Sequence, residues 1–250
     1  MGYFSEELQP AKFGLEEDNA EDFYCCCFQR SRSAIPFLII RCIVLTGCLG
    51  IILSSWVISG FGLWWIFMTN WGLIFITLTA ALAFAVSAKA YCSFGLPWYI
   101  KLYWVWFNLT LPIAFFITIF YYALLASLDV NPTLDVFTHA INSVLMLVLL
   151  LTSRHPSRLL HFHHAMLMGI VYLIFSLIYY FAGGEGFGTG YIYPQLDWAY
   201  PGTAVLTALG SAVGICVMHL IVVSIAAGRD RITKKYRNNS LPISNANERY

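Results

Sequence analysis

Charge is what this sequence has least of. Only 11% of its 250 residues are Asp, Glu, Lys or Arg, against about 25% in an ordinary soluble domain. The 14 basic and 13 acidic side chains leave a net charge of +1, which offers no polyanion footprint and excludes a nucleic-acid binder. Hydrophobic types reach 59%. So few charges cannot cover that much apolar surface in water, so lipid is the solvent for most of the chain. The same numbers exclude a disordered protein. A disulfide framework is missing too. Of the 7 cysteines, Cys42, Cys48 and Cys216 sit inside apolar runs, Cys92 sits beside one, and Cys25, Cys26 and Cys27 are consecutive; neighbours in sequence make poor disulfide partners. No cleavable leader is evident. The first apolar run starts after about 34 residues, behind Glu16, Glu17, Asp18, Glu21 and Asp22, so the first span is expected to do the targeting. Zinc spacings, a P-loop and a nucleophile elbow are absent, and no cofactor or metal is expected. There is no internal repeat.

What is present is a set of six apolar runs, each near the roughly 20 residues that a spanning helix needs. They cover about Ile35–Ser59, Ile66–Ser87, Tyr99–Ala126, Leu134–Ser153, Leu159–Ala182 and Thr203–Ala227. The expected fold is all-α, a six-helix transmembrane bundle over 35–227. It is preceded by a cytoplasmic N-terminal segment, 1–34, with the Cys cluster, and followed by a basic, disordered cytoplasmic tail, 228–250. Lysine and arginine set the orientation. Lys12, Arg30 and Arg32 precede the first span, Lys89 and Lys101 flank the second loop, Arg154 and Arg158 lie in the fourth, and six more basic residues follow the last span. Arg41 lies within two turns of the first span's start and is expected to snorkel back. All basic residues then fall on one side, with both termini cytoplasmic, at the plasma membrane or the endoplasmic reticulum. Trp64, Trp65 and Trp71, with Tyr191, Tyr193, Trp198 and Tyr200, are placed as outer interfacial anchors.

Polar groups inside spans are costly and therefore functional leads. His139 stands about one and a half turns into the fourth span. Asp135, four residues earlier, and Ser143, four later, share its helical face. Two readings are open: a carboxylate–imidazole base, or a helix–helix hydrogen-bond network. Thr69, in Thr69-Asn70-Trp71-Gly72, lies at the outer start of the second span and at a similar depth. It is either a nucleophile awaiting a base or a helix cap. His161, His163 and His164 have spacings unsuited to a metal face and are read as structural or headgroup-facing. The thiols Cys25, Cys26 and Cys27, beside Arg30 and Arg32, suit S-acylation.

Four blocks carry a family resemblance. Trp65-Ile66-Phe67-Met68-Thr69-Asn70-Trp71-Gly72, His139-Ala140-Ile141-Asn142-Ser143, Arg154 through His161, and Tyr172–Phe175 with Tyr191 through Trp198 resemble the signature of the rolling stone family of animal membrane proteins. Near the first span the chain departs from the pattern, with Cys25-Cys26-Cys27-Phe28-Gln29-Arg30-Ser31 where Ser-Gln-Trp is expected. The resemblance implies a role in myoblast fusion or membrane organisation. The family is also distantly similar to androgen-induced membrane proteins that hydrolyse branched fatty-acid esters with an intramembrane threonine and histidine. Thr69 and His139 are the matching positions.

Two functions follow as expectations. One is a non-enzymatic membrane protein of fusion or membrane organisation. The other is an intramembrane threonine hydrolase of fatty-acid esters, with Thr69 as nucleophile, His139 as base and Asp135 as orienter; Asn70, Asn142 and Trp71 are oxyanion donors by depth. The expected partners are the lipid bilayer and a fatty-acid ester.

Overall fold

In the computed structural model, the structure describes residues 7–17, 19–29, 33–89, 98–126, 132–184, 188 and 190–238. Six helices in it are long and apolar enough to cross a membrane, and the chain is an all-α, multi-pass membrane protein. They are α1 (Ile35–Ser59), α2 (Met68–Ala88), α3 (Trp98–Leu124), α4 (Pro132–Thr152), α5 (Leu159–Phe181) and α6 (Pro201–Asn238). Each matches an apolar run, because in lipid a helix alone satisfies its own backbone polar groups. Outward faces carry Val57, Leu167, Ile178 and Leu206 exposed, as a lipid solvent permits.

The third helix is the hub: α3 packs on α2, α4, α5 and α6. Its Tyr103, Trp104, Phe107 and Leu111 are fully buried, and Pro112 is accommodated inside the helix. The chain between α1 and α2 sets the start of α2. Gly60 turns it with φ 72, Leu63–Ile66 make one 3₁₀ turn, and Phe67 is extended. The second helix therefore begins at Met68, two residues later than the apolar run suggests. The indole of Trp64 goes inside, where its N–H donates to Ser55 Oγ at 2.9 Å. Trp65 remains exposed. A mixed aromatic turn is thus part anchor and part core.

Arg41 corrects one expectation. It does not snorkel outward; it is 0% exposed. Its guanidinium donates to the carbonyls of Ala83 and Phe23, both at 2.7 Å, and to Ser87 Oγ at 2.8 Å. It also covers the ring of Phe37 at 3.9 Å. Carbonyls and a hydroxyl that converge on the cation replace the water it would otherwise seek.

The N-terminal segment seats against this end of the bundle, here termed the basic end. Phe23 is buried and stacks on His155. Arg154 pairs with Asp22 at 2.6 Å, and Arg158 pairs with Glu17 at 3.2 Å and donates to Gly14 O. Cys25, Cys26 and Cys27 are all buried. Cys27 Sγ donates to Leu151 O at 3.1 Å and its amide to Thr152 O at 3.0 Å. A thioester on this triplet requires the segment to leave its seat.

The tail also differs from its expected disorder over 228–238, which continue α6 as helix. Arg229 anchors them, donating to Leu150 O at 2.8 Å and His155 O at 2.9 Å. Residues 239–250, the rest of the expected disordered tail, lie outside the described residues, as do Arg30, Arg32 and Cys92.

Candidate functional site

At the end of the bundle opposite the basic end, α2 starts with a first turn that lacks a side-chain cap; the residue before it is Phe67. Thr69 is therefore not its N-cap. The Met68 amide, one of the orphan donors of a helix start, donates instead to the hydroxyl of Tyr193 at 3.0 Å. Thr69 interacts with the same phenol through its amide and hydroxyl. Burial pushes the Tyr193 phenol above its ordinary value, so at neutral pH it is an O–H group. Sequence reasoning gave Tyr193 only an anchoring role. Its position next to the Thr69 signature is a tertiary contact with no local signal.

His139 comes to Thr69 from α4. Residues Val136–Ile141 form a π-helical turn between two α segments, a feature that single-turn insertions often mark at functional sites. The wider turn displaces main-chain carbonyls from their usual partners. The Thr118 hydroxyl on α3 donates to that of His139, and the Thr138 hydroxyl donates to Leu134 O at 3.0 Å. Ser143 Oγ lies 2.6 Å from Thr118 Oγ1 and 2.9 Å from Ala114 O. Part of the expected polar stripe is thus spent on locking α4 to α3.

The imidazole is held in one plane and one tautomer. Tyr121 stacks on it with ring centroids 3.4 Å apart and 7° between planes. Nδ1 lies 3.1 Å from the main-chain carbonyl of Asp135 and 3.0 Å from Thr138 Oγ1. A carbonyl only accepts, so Nδ1 carries the proton and Nε2 presents its lone pair. Nε2 is 3.2 Å from Thr69 Oγ1. The hydroxyl donates to it, the arrangement of a nucleophile and its base. Asp135 thus meets the ring through its backbone carbonyl, a contact that the four-residue side-chain spacing does not signal.

The pair lines a chamber of about 770 Å³ together with Ser55, Trp64, Asn70, Asp135 and Tyr193. Asn70 is fixed there: Nδ2 donates to Trp64 O at 2.7 Å, and Oδ1 accepts from Ser55. Two of the depth-based oxyanion donors point elsewhere. The Trp71 indole donates to Trp65 O at 2.7 Å, and Asn142 does not border the chamber. At the basic end, His161 contacts Asn108 at 3.0 Å and Gly14 O at 3.3 Å, which makes it a structural strut between α3 and the N-terminal segment. Among the described residues no three His, Cys, Asp or Glu side chains form a metal-ligand group.

Comparison with known proteins points to the same family. The family model described as "Protein rolling stone" matches residues 79–239. The protein named "Protein rolling stone" from Drosophila melanogaster is 32% identical over 228 residues, covering 83% of this chain and 82% of the relative. No solved structure matches. The chain belongs to the rolling stone family.

Proposed function

We propose that this member of the rolling stone family is an intramembrane ester hydrolase, with Thr69 as nucleophile and His139 as general base. One observation carries the reading: a threonine hydroxyl 3.2 Å from an imidazole nitrogen whose partner nitrogen is committed to a carbonyl, at the wall of a chamber. A threonine hydroxyl is a weak nucleophile until a base takes its proton, and this imidazole has its lone pair aimed at that proton. Attack on an ester carbonyl forms the bond from Thr69 Oγ to the acyl carbon. The proton moves to Nε2 and from there to the departing alcohol oxygen. Water in the chamber then attacks the acyl-threonine by the same route and releases the acid. The Tyr193 O–H, which contacts Thr69 and borders the chamber, is the donor for the developing oxyanion. Asp135 orients the base through its carbonyl.

The positive-inside distribution supports a topology in which the basic end and both termini are cytosolic, at the plasma membrane or the endoplasmic reticulum. The chamber then opens to the exterior or lumen, and the substrate is a fatty-acid ester of that leaflet.

The test uses full-length protein in membranes. A fluorophosphonate probe is expected to label wild type but not Thr69→Ala. Ester turnover is expected to fall by about 10²-fold or more in His139→Ala, the scale of a lost general base. Full turnover in Thr69→Ala sinks the reading. The remaining function is then the membrane-organising or cell-fusion role that the family resemblance implies, with the pair reduced to an interhelical hydrogen bond.

A further inference from the structure

Two cavities meet at Thr69. Beside the chamber lies a slot of about 140 Å³ between α3, α5 and α6, with Phe116, Phe120, Met166, Ile170 and Ile215 among its apolar walls. Thr69, Tyr121, Leu125 and Tyr193 border both cavities, whereas His139 and Asp135 border only the chamber.

This asymmetry has a chemical meaning. The base that removes the nucleophile's proton must return it to the leaving oxygen, so the alcohol departs on the base's side. His139 faces the chamber. The acyl carbon, held against Thr69 Oγ, therefore sends its chain the other way, past Tyr121 and Tyr193, which border both cavities. The walls match that division. The chamber presents Ser55, Asn70 and the Asp135 region to an alcohol and to water, while the slot is apolar.

The shape of α6 supports access from the side. It turns Thr207, Ala208, Ser211 and Ala212 towards the slot and keeps Leu206, Leu209 and Val213 on its exposed face, at 71%, 61% and 64%. Small side chains on one face and bulky ones on the other leave room for a ligand between α6 and α5. Ile170, one wall of the slot, is itself 48% exposed, so the slot reaches the surface that lipid covers.

We infer that the slot is an acyl site, a conclusion that rests on the Thr69–His139 hydrolase reading. The substrate is a long-chain aliphatic acyl ester that reaches Thr69 sideways from the bilayer, acyl chain in the slot and alcohol in the chamber. The bond that forms is Thr69 Oγ to acyl carbon. The bond that breaks is acyl carbon to alcohol oxygen, which takes the threonine proton by way of His139. Water reverses the sequence and yields the free fatty acid.

The test fills the slot in full-length protein in membranes. Two ester series are compared: acetyl to palmitoyl on one small alcohol, and short to long alcohols on acetate. Ala208→Phe is expected to lower the palmitoyl-to-acetyl ratio of kcat/KM by about tenfold or more, the scale of a pocket mismatched by several methylenes. The ratio across the alcohol series is expected to move far less. Ser211→Leu, a gentler filling, is expected to shift the ratio in the same direction, which guards against misfolding of the first variant. An unmoved acyl ratio, or a larger shift in the alcohol series, overturns the assignment. Occupancy is read separately in Thr69→Ala with a non-hydrolysable palmitoyl ether that carries a photoactivatable group at the chain end. Crosslinks are expected on α5 and α6 and lost with Ala208→Phe; crosslinks on chamber residues overturn the slot. Slot crosslinks without ester cleavage by wild type keep the acyl site and overturn the hydrolase.

Discussion

The Thr118 hydroxyl, on α3, donates to the main-chain carbonyl of His139, on α4. The backbone that carries the imidazole is thus tied to a neighbouring helix at the turn where α4 widens. Thr118→Val keeps the volume and shape but removes the donor. It is expected to lower ester turnover by about tenfold or more by letting the imidazole drift from Thr69, since small misplacements of a reacting group are costly. Thr118→Ser is expected to restore most of the activity. Equal turnover in both variants argues against a positioning role.

In the proposed mechanism Tyr193, outside the spans, is the oxyanion donor. Tyr193→Phe is expected to cost about 10²-fold in kcat, the scale of one lost oxyanion donor, with a much smaller change in KM. It also leaves the Met68 amide without its acceptor, a loss of about 1 kcal/mol in stability that a thermal melt in detergent will register. A KM effect with kcat intact assigns Tyr193 to binding alone.

The three consecutive thiols are not equivalent. Burial pushes Cys25 up to about 11. The Cys27 side chain beside it lowers Cys26, so Cys26 has the greatest thiolate character. Lipidation at the triplet is expected on Cys26, which at 7% exposure against 0% for the other two is the thiol reached first as the segment begins to lift. Hydroxylamine-sensitive palmitate label is expected to vanish in Cys26→Ser and persist in Cys25→Ser. Equal label in both variants contradicts this order.

His155 lies at the basic end in the loop between α4 and α5. It is fully buried, with Nε2 3.1 Å from the Tyr103 hydroxyl. Burial, with Arg229 and Arg41 nearby, holds its pKa well below the ordinary value of 6.5. The unfolded chain therefore takes up a proton below pH 6.5 that the folded chain refuses. Stability is expected to be level above that pH and to fall as pH drops below it. Melting temperature from pH 8 to 5 checks the slope, and His155→Gln is expected to reduce it.

The six helices were legible because hydropathy is a sum along the chain and lipid imposes the helix. Thr69 and His139 were legible as polar residues at matching depths and as positions of the family resemblance. What stayed hidden depends on direction around a helix axis. Arg41 lies close enough to its helix end to snorkel, and only the convergence of Ala83, Ser87 and Phe23 turns it inward. Asp135 has the spacing of an orienter, and the π turn sets its carbonyl 3.1 Å from the ring, a main-chain contact that side-chain spacing does not signal. Tyr193 was hidden because a loop contact over a separation of 125 residues leaves no periodic trace. The tail's helical start was masked by its charge, which describes solubility and not backbone conformation.

Arg41 also bears on how the protein is made. A span that carries an arginine is tolerated early in synthesis, when the cation can reach the headgroups; held at mid-helix it costs about 2.5–3.5 kcal/mol. The groups that receive it inside the fold come later or fold back from the other direction: Ala83 and Ser87 on the next helix, the Tyr103 hydroxyl 62 residues downstream at 3.4 Å, and the carbonyl of Phe23 from the segment before the span. Insertion of α1 and its final seating are therefore separate events, divided by the time the ribosome needs to deliver α2 and α3. A first span without α2 and α3 thus carries a cation that lacks the acceptors of those helices, and it is the assembled bundle that makes an arginine tolerable at that depth.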